Sequence, residues 1–203
     1  NLAPSDAEVG NLDWYKGKVG FTIVLPADRE NRAPIDPGSV RYRYTNDSKQ
    51  TGVGWQSGTT GTVPADEDVD EGIYTLIVTV KNVAGIESLP KVVHFGIDLT
   101  APTEPEIYAV LDSGLVPIGT DDTNRVWTND PEIAIVPGED QGDAQSGVGP
   151  DGTLYRLGWK VEDEITYTPW SSLPPDLSDV PDGRLIVQAK SVGAVGHESG
   201  VEE

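Results

Sequence analysis

The chain states one pattern twice. Ala3-Pro4-Ser5-Asp6-Ala7-Glu8-Val9 returns as Ala101-Pro102-Thr103-Glu104-Pro105-Glu106-Ile107, and the signals behind each copy keep their order. A Trp precedes an apolar strand (Trp14, Trp127). An aromatic-rich strand follows (Val40 to Tyr44, Leu154 to Trp159), then a second Trp beside Gln or Ser (Trp55, Trp170). Each copy closes alike: the strand Gly72 to Lys81 leads into Asn82-Val83-Ala84-Gly85-Ile86-Glu87-Ser88, and Gly183 to Lys190 leads into a two-residue-longer ending at Gly196-His197-Glu198-Ser199. A period of about one hundred residues is too long for a solenoid and fits two complete domains, 1–99 and 100–203.

Between the repeated signals the apolar residues alternate. Val19, Phe21, Ile23 and Leu25 fall on one face of a strand; Val40, Tyr42 and Tyr44 alternate with Arg41 and Arg43; Tyr74, Leu76, Val78 and Val80 form a third set, and Val93, Phe95 and Ile97 a fourth. A period of two marks half-buried antiparallel strands. The 23 Gly and 16 Pro punctuate the chain too often for long helices. The expected fold class is all-β: two tandem immunoglobulin-like β-sandwiches. Val19, Phe21, Ile23, Tyr42, Leu76, Val78 and Val80 should lie inside the first, and Ile133, Ile135, Tyr155, Leu185 and Val187 inside the second. The Pro-punctuated segment from Asp98 to Pro105 should be a short, stiff connector.

With no Cys, a disulfide framework and thiolate metal sites are excluded; with no Met, the sequence reads as a mature or excised piece of a longer protein. The second copy has only Gly200-Val201-Glu202-Glu203 after Ser199, where the first has a full strand after Ser88, so a further strand and domain are expected beyond Glu203. The net charge of −20 repels phosphate, which argues against nucleic acid and anionic membrane surfaces as partners. No apolar run approaches the roughly 20 residues that cross a bilayer.

The turn at Asn82 to Ser88 and the segment Asp98-Leu99-Thr100-Ala101-Pro102 resemble the closing turn and linker of the bacterial immunoglobulin-like (Big-type) repeats of large extracellular surface proteins and adhesins. The second copy adds Val126-Trp127-Thr128-Asn129-Asp130 and Asp140 through Ser146-Gly147-Val148, which look like the opening of that family. Ile86 stands where that family usually has Asn, and the first copy has no clear Ser-Gly-Val. The resemblance implies a non-catalytic stalk, spacer, adhesin or surface-layer (S-layer) lattice segment at the cell surface. Its partners would be neighbouring domains of the same chain and further copies of itself.

His94 and His197 stand at non-equivalent places in different copies, which argues against a shared metal site, and there is no Gly-x-Ser-x-Gly elbow for a hydrolase. With 34 Asp and Glu, any carboxylate pair can be drawn for a glycosidase, so no pair carries a signal. Acidic turns suit calcium, a hard cation that takes six to eight oxygens. Asp98, with Asp121 and Asp122 in the insertion that follows, is the preferred ligand set for Ca2+. Trp14/Trp127 and Trp55/Trp170 occupy matched places and are expected in cores. Trp159, matched only by Tyr44, is the residue chosen for a saccharide under the alternative reading: a carbohydrate-binding accessory module of a secreted polysaccharide-degrading enzyme.

Overall fold

A computed structural model of the chain describes residues 12–28, 30, 32–65, 68–118, 126, 132–161, 164–174, 176–177 and 183–203. The protein is all-β, with several sheets and, among the described residues, no α-helix. It divides into two compact units: Asn1–Leu99 with Gly142–Ala144, and Thr100–Gln141 with Gln145–Glu203.

The first unit runs β1 (Asp13–Tyr15), β2 (Val19–Thr22), a 3-10 turn (Pro37–Ser39), β3 (Arg41–Asn46), β4 (Thr51–Ser57), β5 (Thr60–Val63), β6 (Gly72–Thr79) and β7 (Lys91–Ile97). Five strands form one sheet in the order β1-β7-β6-β3-β4, and β2 pairs with β5 in a second. The alternation places Tyr44, Tyr74, Leu76, Phe95 and Ile97 of the large sheet on one side, where they meet Val63 of the small one; Val19, Phe21, Tyr42 and Val78 pack around this cluster. Ring geometry knits it: Phe21 meets Tyr42 edge-on at 4.9 Å and Tyr74 stacks on Phe95 at 5.7 Å, arrangements worth about 0.5–1.5 kcal/mol each beyond their buried area. Ile23 and Val80, expected inside, are half-buried and stand outside the cluster. The joining of β1 to β7 is parallel, Trp14 opposite Gly96. It depends on a missing side chain, because a Cβ on Gly96 would fall 2.2 Å from the indole of Trp14.

The second unit runs β8 (Glu106–Leu111), β9 (Gly114–Pro117), β10 (Ile133–Val136), β11 (Val148–Val161), β12 (Glu164–Tyr167) and β13 (Leu185–Gly193). Its sheets are β10-β8-β9 and β12-β11-β13. Ile107 of the first sheet packs with Leu157, Val187 and Ala189 of the second and with Leu177; Ile133, Ile135, Tyr155 and Leu185 gather around them. The segment read as a connector is partly built into structure: Asp98, Pro102 and Pro105 are buried, and the Thr103 N–H donates to Glu139 O at 2.8 Å.

The closing turns superpose bond for bond. Val80 N–H donates to Ser88 Oγ and receives Ser88 N–H at its carbonyl; Ser191 and Ser199 do the same. Gly85 and Gly196 donate to Asn82 O and Gly193 O at φ of 81° and 84°, a left-handed backbone that glycine adopts without strain. Val80 therefore matches Ser191, and Lys190 matches Thr79, not Lys81 as the aligned lysines imply. With this pairing nothing is inserted: Gly72 to Ser88 and Gly183 to Ser199 are equally long, and the apparent two-residue difference comes from matching the lysines.

Candidate functional site

The matched register brings out a feature that composition hides. Trp55 on β4 lies beside Gln56, which pairs with Tyr42; Trp170 lies beside Ser171, which bridges to Tyr155. Tyr42 and Tyr155 are themselves equivalent, being opposite Val78 and Ala189. Expected in a core, Trp55 is instead 42% exposed. Arg43 sits over its ring at 5.2 Å and Arg41 at 5.4 Å. Arg156, the counterpart of Arg43, sits 4.5 Å over Trp170 and also 4.3 Å over Tyr167; Lys190 is 4.8 Å over Trp170. A cation above an indole face is held by the ring quadrupole, which accounts for a tryptophan outside the core.

The second cation of each stack comes from a different strand. In the first unit it is Arg41 on β3, opposite Thr79; in the second it is Lys190 on β13, opposite Leu154. Each meets the same turn carboxylate: Arg41 to Glu87 at 2.9 Å, Lys190 to Glu198 at 2.7 Å. Hydrogen bonds from Thr79, then from Arg41, hold the Glu87 carboxyl below its usual range. Arg156 is further fixed by Nε donation to Gln188 Oε1 at 2.7 Å, and Gln188 Nε2 donates to Glu203 Oε2 at 2.6 Å. Each stack thus consists of an indole, two cations and a carboxylate.

A second polar constellation joins β3's end to β6 and β7. Thr75 Oγ1, 9% exposed, donates to Asp47 Oδ2 at 2.5 Å and lies 2.9 Å from His94 Nδ1. With the hydroxyl proton given to Asp47, Thr75 Oγ1 is left to accept a hydrogen bond from His94 Nδ1. Thr75 and His94 meet only through the β6–β7 register, which leaves no local signal in the sequence. Here the hydroxyl lies between the acid and the imidazole. In a hydrolytic triad the imidazole is central and takes the hydroxyl proton, so this order does not activate Thr75.

The acidic turns are engaged with backbone. Asp98, chosen for calcium, is buried at 1% exposure, and its N–H donates to Tyr15 O at 2.9 Å. Glu71 accepts from the Leu99 N–H at 3.0 Å. Asp140 accepts from Gln141 N–H and, at 2.5 Å, from Gly147 N–H, which ties its own loop shut. Asp121 and Asp122 lie outside the described residues, as does Trp127. Among the described residues no group of three or more His, Asp or Glu is placed to hold a metal ion, and no helix is long and apolar enough to cross a membrane. Trp159, chosen for a saccharide, packs half-buried against the second core; among the described residues the indole that faces solvent is Trp55.

No family model matches the chain, and no curated protein or solved structure is similar to it at a significant level.

Proposed function

We propose that the chain is a non-catalytic stalk, spacer or lattice segment of an extracellular prokaryotic surface protein, each unit an immunoglobulin-like β-sandwich related to the Big-type repeats. The observation that carries this reading is the duplication of framework: the same serine-locked turn and the same cation-covered Trp are built in both units. What a repeated mechanical element must preserve is its strand pairing and its turns. Neighbouring domains of the same polypeptide and further copies at the cell surface are the partners this role requires. Calcium belongs to the same reading as a counter-ion, since a chain of net charge −20 lowers its self-repulsion by taking up cations. The test is surface labelling: antibodies against the 203-residue chain should stain intact cells of the source organism as strongly as permeabilised ones. Staining only after permeabilisation would refute the role.

One observation favours the alternative, an accessory module that binds polysaccharide: the exposure of Trp55 beside two arginines. Retardation in gels containing acidic polysaccharides, lost in Trp55→Ala, would support it over the spacer.

A further inference from the structure

β13 is the outer strand of its sheet, with β11 on one side. On the other side Ala189 exchanges both backbone hydrogen bonds with Glu202, at 2.9 Å each. The period of two then turns the N–H and C=O groups of Val187 and Leu185 the same way. Among the described residues no strand pairs with them.

The first unit shows what such an edge accepts. Ala189, Val187 and Leu185 match Val78, Leu76 and Tyr74, which pair with Lys91, Val93 and Phe95 of β7. Glu202 therefore occupies the place of Lys91. Glu203, bonded through its side chain to Gln188, occupies that of Val92, which pairs with Ile77. Two consecutive residues already fix the direction and register of a strand along β13. The later positions of β7 matter most to the first core, where Phe95 and Ile97 are among the buried members.

We propose that the β13 edge over Leu185–Gln188 is an acceptor for one more antiparallel strand. Its occupant is an extended peptide segment with apolar residues at alternate positions and a large one opposite Leu185, laid in the register of β7 on β6. This is strand addition, in which backbone bonds hold the segment and alternate side chains select it. A second copy's β13 is not the occupant, because edge-to-edge pairing would displace Glu202 and Glu203 from the positions they hold. The acceptor rests on the hydrogen-bond register and not on the surface-protein role.

The test uses the whole chain and a synthetic pentapeptide with the sequence of Val93–Ile97, added free or appended after Glu203 to raise its effective concentration. Saturation should slow amide exchange at Leu185 and Val187 at least about tenfold, and the appended form should raise the melting temperature of the second unit by roughly 5 °C or more. A control peptide with Pro at the positions of Val93 and Phe95 should do neither. Unchanged exchange at both amides in the appended form would overturn the proposal. So would protection that appears without peptide and rises with protein concentration alongside dimerisation, which would make a second copy the occupant.

Discussion

Replacing Gly85 by Ala isolates the cost of one backbone conformation. A Cβ at Gly85 meets nothing within 4 Å, so no clash contributes, and φ is 81°. Left-handed backbone costs an L-residue about 1–2 kcal/mol. The lower freedom of the unfolded alanine chain returns about 0.4–1 kcal/mol. The net loss is therefore about 1 kcal/mol, or roughly 4–8 °C in a unit of this size. Gly20 on β2 supplies the reference, since its Cβ also meets nothing and its φ lies outside the left-handed range. Gly20→Ala carries the same unfolded-state gain without the strain, so the difference between the variants is the strain itself, about 1–2 kcal/mol. Urea denaturation followed by hydrogen exchange with peptide-level mass readout gives both the size and the location. Gly85→Ala should loosen Gly72–Thr79 and Lys91–Ile97 while leaving Leu185–Gly193 unchanged; Gly196→Ala, at φ of 84°, should do the reverse. Equal stabilities for Gly85→Ala and Gly20→Ala would refute the conformational argument, and loosening spread over both units would refute their separate cooperativity.

Ile97→Ala, at a fully buried position, should cost the first unit about 2–5 kcal/mol in chemical denaturation, whereas Leu89→Ala, 90% exposed, should stay within about 0.5 kcal/mol. Glu87 has a lowered folded pKa, so its contribution is present above the unfolded value and is lost as pH falls through the folded one; Glu87→Gln should flatten the acid side of the first unit's stability profile. Glu202 has the opposite sign. Burial, then the charges of Glu104 and Glu106, raise its folded pKa, and stability is lost as pH rises through that value; Glu202→Gln should raise the second unit's melting temperature at pH 7 and change nothing at pH 3. Millimolar calcium should raise the melting temperature relative to chelator at matched ionic strength, and an unchanged value would remove calcium from the proposed role.

The strands were legible because one face of each is apolar: Val19 and Phe21 in β2, Tyr42 and Tyr44 in β3, Leu76 and Val78 in β6 all meet the first core. What alternation cannot show is which strands are neighbours. The parallel joining of β1 to β7 and the meeting of Thr75 with His94 follow from pairing across the sheet, which leaves no local trace. Matching Lys81 to Lys190 by identity hid the true register, because the hydrogen bonds that define the turn run through Ser88 and Ser199. Trp55 was misplaced for a related reason. Its position repeats as a core residue's would, yet the partners that let it face outward, Arg41 and Arg43, lie on the neighbouring strand. Asp98 is singled out for calcium by the acidic turns and its place at the linker; its burial and the bond from its N–H to Tyr15 O come only from the fold.

The cation that reaches the turn carboxylate enters from β3 in one unit and from the strand beside it in the other, so the pair Arg41/Thr79 in one and Leu154/Lys190 in the other behave as a single two-letter word with one charged letter in either place. Neither position is then interpretable by itself. A scan of single substitutions would read Arg41 and Thr79, both bonded to Glu87, as two separate local contacts, although Thr79→Lys should restore an Arg41→Leu variant by borrowing the second unit's spelling. In any collection of related chains these two sites should vary together, with charge conserved across the rung and not at either end of it.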